Sequence, residues 1–388
     1  MLNFYYLYVL VWLPIIFIYS LGWSDLYEPL APDLKLFFTS TILLSAVLGY
    51  KFRKCFRFYK IDKCPTKLYL GTLLILIFSF YEFYYCDQIP LFAIISGRAE
   101  YTSFTGIKTL HVINTTFAGF YAQYLFYLFV CYPKHKIILL QYLAILFTVN
   151  VLVFNRGGLI ISLAISALIF VSSLRKGRKT FVLSIGILLS LVGLYCFGGF
   201  GNIRHGNAWN DTTMIERLGK FNDGFPSWLP KQYMWAYIYI VSGLGNLNHN
   251  IILDTSDFES LPFLSAFLPD FLHKRLPEIY QYKQPKLVEK SLTVATGFGN
   301  AYMNSGILGM YAVVFILYGF LFYLLNYLKP AKRFFIPYIA IMSSMVLFLF
   351  FTSTLSFSGI SFPLVYPILT AFKFRPFKRN KGLLEIKK

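Results

Sequence analysis

A single arginine interrupts an otherwise apolar run from Ile137 to Leu174, in the string Asn155-Arg156-Gly157-Gly158. A guanidinium is permanently charged and presents a planar fork of donors, which suits a phosphate or diphosphate. The two glycines let a turn tighten and let another group approach the backbone. The plainer alternative is an arginine that snorkels to lipid headgroups, with Asn155 as a turn or cap residue. Arg204, in Gly201-Asn202-Ile203-Arg204-His205-Gly206, directly follows an apolar span and suits a second phosphate contact, or is an ordinary juxtamembrane cation. Arg98 and Lys108 invite the same reading more weakly, and Arg217 more weakly again.

Histidine is the side chain best suited to take a proton near neutral pH. His205, His249 and His273 lie in one hydrophilic stretch, and His111 opens an apolar span elsewhere. His249 is the first candidate for a general base and His273 the second. Asp211, Asp223, Asp254, Asp257, Glu259 and Asp270 are further candidates. The histidine spacings match no His-x3-His pattern and no cysteine accompanies them, so neither a metal nor another cofactor is expected. No phosphate-binding glycine loop, dinucleotide fingerprint or Gly-x-Ser-x-Gly elbow is present.

The chain that must hold these residues is 57% hydrophobic and 14% charged over 388 positions, which marks a polytopic membrane protein. The net charge of +19 would suggest nucleic acid in a soluble protein, but its distribution excludes that here. Ten apolar runs are expected to cross: Leu2–Gly22, Leu34–Tyr50, Leu68–Cys86, Leu110–Tyr132, Ile137–Phe154, Leu159–Leu174, Phe181–Gly198, Thr296–Leu328, Phe335–Leu355 and Phe357–Phe372. The link Lys51–Lys67 carries seven basic residues against Asp62 alone, whereas Trp23–Asp33 has three acids and no Lys or Arg. The positive-inside rule therefore puts the former in the cytoplasm, with both termini. On this topology the cytoplasmic segments hold 23 Lys+Arg and 2 Asp+Glu, and the rest of the chain 13 and 15. The basic tail is a topogenic, lipid-facing signal. The five cysteines are scattered, none lies in the long loop, and no disulfide framework is implied. The N-terminus lacks a basic leader and a cleavage site and is expected to stay as the first span.

The expected fold class is thus an all-α polytopic integral membrane protein. Its expected parts are spans one to seven over 1–199, an extracytoplasmic loop over 200–293, spans eight to ten over 294–373 and a basic cytoplasmic tail over 374–388. The loop's core, Phe200–Lys290, carries 9 of the 36 Lys+Arg, 3 of the 5 His and 3 of the 5 Trp. Within it, Tyr233–Leu247 and Leu261–Leu272 are apolar but too short to span. They suit re-entrant or interfacial segments, or a small extracytoplasmic core. Trp209, Trp228, Tyr233, Trp235 and Tyr237 would sit among headgroups or stack on sugar faces.

These features resemble an oligosaccharide repeat-unit polymerase of the Wzy type, the polymerases of bacterial O-antigen and capsule. Ile89-Pro90-Leu91-Phe92, Ser96-Gly97-Arg98, Tyr101 and Phe104, closed by Leu110-His111, resemble that family's first substantial outer loop. Asn155-Arg156-Gly157-Gly158 resembles the Arg-Gly turn shared with the O-antigen ligases. The large loop before the last three spans is in the family's place. Thr296-Gly297-Phe298-Gly299, with Tyr302, Gly306 and Gly309, resembles its Gly-rich re-entry into the membrane. The resemblance covers nearly the whole chain and lies in its architecture.

The resemblance implies a glycosyltransferase-type enzyme at the outer face of the bacterial cytoplasmic membrane. Two polyprenyl-diphosphate-linked oligosaccharides would be joined without a metal, as polyprenyl diphosphate leaves. Arg156, Arg204 and Arg98 would bind the diphosphate, and His249 or His273 would accept the attacking hydroxyl's proton. Membrane lipids, a chain-length regulator and a flippase are the implied partners. An O-antigen ligase shares the chemistry with a different acceptor. A transporter of lipid-linked oligosaccharide is the alternative of a different class, disfavoured because the large loop has no counterpart in the other half.

Overall fold

The computed structural model describes residues 2–96, 104, 106–257, 263–270, 275–276, 285–328 and 332–373. Arg98, His273 and the tail beyond 373 lie outside the described residues. Among the described residues the regular structure is helical, apart from a one-residue antiparallel bridge between Ser24 and Phe221. A helix satisfies its own backbone hydrogen bonds, which an apolar environment demands.

Among the described residues, four helices are long and apolar enough to cross a membrane: Pro32–Lys51 (α2), Arg156–Ser173 (α7), Lys176–Arg204 (α8) and Gly299–Leu328 (α11). Shorter apolar helices include Phe4–Ser20 (α1) and Tyr69–Tyr85 (α3). Helix α8 turns Phe181, Ile187, Leu188, Leu189 and Val192 outward. A continuous apolar face of this kind suits lipid rather than water. The apolar helices mark a membrane protein.

The chain forms two compact units. Unit 1 comprises 1–58, 167–319 and 342–361, and unit 2 comprises 59–166, 320–341 and 362–388. In unit 1, α1 is capped by Asn3, whose side chain accepts the Tyr5 N–H at 3.2 Å, and α2 starts at Pro32. Pro is tolerated there because the first helical N–H has no partner anyway. The α1–α2 pair encloses Trp12, fully buried, whose ring lies 4.5 Å from Phe38 and 5.6 Å from Phe298. Helix α11 is broken at Ser305 and Gly306, where Gly306 takes φ +59°.

The segment expected to be too short to span is longer than the sequence suggested. Helix Tyr233–Ile252 (α10) runs for 20 residues, about 30 Å. It packs against α1 and α8 with most side chains buried. The apolar pattern ends near Leu247, but the helix continues because buried Asn246, Asn248 and Asn250 find partners from other segments. Trp235 and Tyr237 are 3% exposed and so belong to this core, not to headgroups or sugar faces. Of Leu261–Leu272, residues 263–270 are described and hold one 3-10 turn, Leu264–Ala266.

Unit 2 is built on α3 and on the helices Leu110–Cys131 (α5) and Lys136–Leu146 (α6). Helix α5 packs against both. Its Gln123, fully buried, donates to the Ser162 carbonyl at 3.1 Å and accepts from Ser166 Oγ at 3.0 Å. A short helix, Pro90–Ile95 (α4), follows α3. The final expected span is not continuous: helix Ser358–Ser361, a 3-10 turn over Phe362–Leu364 and helix Val365–Lys373 replace it, around Pro363 and Pro367. Proline removes a helical N–H and clashes with the preceding turn.

Candidate functional site

The Arg156 turn is built by its neighbours. Helix α6 widens into a π-helical segment, Phe147–Leu152, and Phe154 then takes φ +60°. The Asn155 N–H donates to the Asn150 carbonyl at 2.7 Å, closing the turn. The Asn155 side chain accepts the Gly158 N–H at 2.9 Å, so it caps α7. At Gly158 an added Cβ would lie 2.5 Å from Asn150 Oδ1 and 2.6 Å from Asn155 Nδ2, so a side chain here would displace the capping asparagine. Arg156, the first residue of α7, is exposed, with its guanidinium 4.7 Å from the centroid of the Phe154 ring. A fixed turn thus presents an exposed guanidinium, a group suited to an anion.

Arg204 closes α8 and is exposed. Its Nη2 lies 3.5 Å from His205 Nε2, and the His205 ring stacks on Trp235 at 5.3 Å. Trp235 donates to Asn202 Oδ1 at 2.7 Å, and Asn202 donates to the Trp209 carbonyl at 2.9 Å. The cation suits the negative end of its own helix.

His249 sits half-buried in the last turn of α10. It lies 14 residues beyond Trp235 on that helix, about 21 Å along the axis. Arg204, anchored beside Trp235 through His205, is therefore not brought to His249. Arg98 and His273 lie outside the described residues. Lys108 is exposed in the turn before α5, and Arg217 is exposed on helix Thr213–Leu218 (α9). Asp270 accepts from the Ser358 hydroxyl and donates its own N–H to the Ser356 carbonyl at 2.6 Å, which ties it to the start of helix Ser358–Ser361. Among the described residues, no group of three or more His, Cys, Asp or Glu could hold a metal ion.

Two features were not legible as constellations in the sequence. The first is the asparagine ladder of α10. Asn246 and Asn250 grip the segment around 286–294: Asn246 donates to the Leu292 and Val294 carbonyls at 2.7 and 2.8 Å, and Asn250 donates to the Lys286 carbonyl at 2.7 Å. Asn248, between them, grips the 28–31 link instead. The available signal was the alternation Asn246-Leu247-Asn248-His249-Asn250, polar residues in an apolar context. The second feature is a pair in unit 2. Glu82, near the end of α3, lies 2.9 Å from His111 at the start of α5. His111 stands out in the sequence by its type, but its partner lies 29 positions away.

Comparison of the chain with protein-family models, with curated proteins and with solved structures finds no match.

Proposed function

We propose that this chain is an oligosaccharide repeat-unit polymerase of the Wzy type, with ten membrane spans, both termini in the bacterial cytoplasm and its long loop outside. The Arg156 turn carries this reading. Its exposed guanidinium, fixed at the head of α7, supports a contact to a lipid-linked diphosphate. The lopsided distribution of Lys and Arg supports the orientation.

In this reading a sugar hydroxyl of one lipid-linked oligosaccharide attacks the anomeric carbon of another. The carbon–oxygen bond to diphosphate breaks, and polyprenyl diphosphate leaves with the electron pair. Negative charge develops on the departing diphosphate, where a fixed guanidinium stabilises it most. Arg156 has this role, and Arg204 and Arg98 are the further candidates. The substrate is supplied by a flippase, and a chain-length regulator is the expected partner.

The test is reconstitution of the purified full chain in lipid vesicles with a polyprenyl-diphosphate-linked oligosaccharide, in the presence of EDTA. A ladder of lengthening products is expected. Transfer to a lipid-core acceptor without lengthening would make the chain a ligase. Movement of the lipid-linked sugar across the bilayer without any new glycosidic bond would make it a transporter.

A further inference from the structure

The Glu82–His111 pair is a buried acid with an imidazole opening outward. The Glu82 side chain is 4% exposed and that of His111 24%. Both carboxylate oxygens are occupied: Oε1 accepts the Ile107 N–H at 2.9 Å, and Oε2 lies 2.9 Å from His111 Nδ1. With an ionised carboxylate, which only accepts, and a neutral imidazole, Nδ1 carries the proton and Nε2 is the acceptor. Among the described residues Nε2 has no hydrogen-bond partner.

The surroundings hold the imidazole in one orientation. The edge of Phe104 meets it at 5.7 Å, and Phe104 in turn packs on Phe83 at 6.3 Å. Gly106 takes φ +62°, and an added Cβ there would lie 2.3 Å from Glu82 Oε1 and 2.8 Å from His111 Nδ1. Glycine's tolerance of positive φ and its lack of a side chain let the backbone at 106 lie this close to the pair. One turn further along the helices, Asn114 donates to Ser79 at 2.9 Å and fixes the register of α5 on α3. Helices α3 and α4 both pack on the π-helical segment that leads to Arg156. The pair and the Arg156 turn therefore lie at the same end of unit 2.

We infer that His111 is the general base of the proposed glycosyl transfer and that Glu82 is its positioning residue. The inference rests on the polymerase reading. As the acceptor hydroxyl oxygen bonds to the anomeric carbon, its proton passes to His111 Nε2. The bond from that carbon to the diphosphate oxygen breaks, and the electron pair leaves with polyprenyl diphosphate. The imidazolium so formed is stabilised by the Glu82 carboxylate, which keeps its charge, and it returns the proton to water after product release. This takes the base role from His249, which lies in unit 1 and is not held by a carboxylate among the described residues.

The test uses the purified full chain in vesicles with polyprenyl-diphosphate-linked oligosaccharide, and compares wild type with His111→Asn, His111→Ala and Glu82→Gln. His111→Asn keeps a donor for Glu82 and guards against simple misfolding. The expected result is a fall in kcat of about 100-fold or more in both His111 variants at unchanged KM, since a general base contributes about 10²- to 10⁴-fold. Added imidazole is expected to restore His111→Ala at least tenfold, as a rough threshold, because it supplies the missing proton acceptor. Glu82→Gln should lower kcat while leaving KM and membrane level unchanged. Wild-type kcat in His111→Asn would overturn the inference, as would a raised KM or a lost activity that imidazole does not restore in His111→Ala. If wild type itself lengthens no chain, the polymerase reading falls and takes the base role with it.

Discussion

Asn248 on α10 accepts the Ala31 N–H at 2.8 Å, joining the C-terminal part of one helix to the residue that opens another 217 positions earlier. Its amide nitrogen also lies 3.2 Å from the Glu28 and Pro29 carbonyls and from the Tyr19 hydroxyl. One buried side chain thereby satisfies the backbone of the link between α1 and α2. Polar backbone groups buried without partners are costly, so this link depends on that asparagine.

Asn248→Leu is therefore expected to destabilise the protein by about 3 kcal/mol, because several buried polar groups lose their partner together. Thermal unfolding in detergent measures this. An unchanged midpoint would mean that water replaces the amide and that the clasp is not a stability element.

Gly198 is where α8 meets the start of α10. A Cβ at this position would lie 2.0 Å from the Gln232 carbonyl oxygen, a backbone atom that cannot turn aside. Gly198→Ala should cost about 3 kcal/mol or more through overpacking. The expected readout is a lowered detergent melting point and reduced membrane level. Wild-type behaviour of both would show that α8 shifts on α10 without penalty.

Arg156→Lys separates a bidentate anion contact from headgroup snorkelling. Lysine keeps the charge but loses the planar fork, and the loss of a charge-assisted contact costs about 2–4 kcal/mol, or about 30- to 1000-fold in rate. Polymer length and membrane level should be measured together in Arg156→Lys and Arg156→Ala. Normal polymer from a normally abundant Arg156→Lys protein would move Arg156 out of the site, since a snorkelling arginine tolerates lysine.

The topology has its own test. In a variant retaining Cys64 as its only cysteine, an impermeant maleimide should label that thiol only from the cytoplasmic side. A cysteine at Ser227, an exposed loop position, should be labelled only from outside. Burial pushes the Cys64 thiol up from its ordinary range, partly offset by Arg333, so the reaction is best run at mildly alkaline pH. Labelling of both sites from one side would contradict the ten-span arrangement.

Hydropathy and charge sums determined the membrane class and the helical character of the apolar runs by themselves, because both properties accumulate along the chain and need no partner. The same holds for the turn at Asn155-Arg156-Gly157-Gly158: a cap, a cation and a closely packed glycine act within a few residues of one another. Tertiary structure decided what lies far apart in the chain. Helix α10 extends past its apolar pattern only because the carbonyls of 286–294 and the Ala31 N–H come to its asparagines. Glu82 meets His111 only because α3 and α5 pack in one register and Gly106 leaves room for the backbone beside both. Sequence spacing carries no information on such a contact, because the intervening loop's path and the relative rotation of two helices are set by packing and not by local propensity.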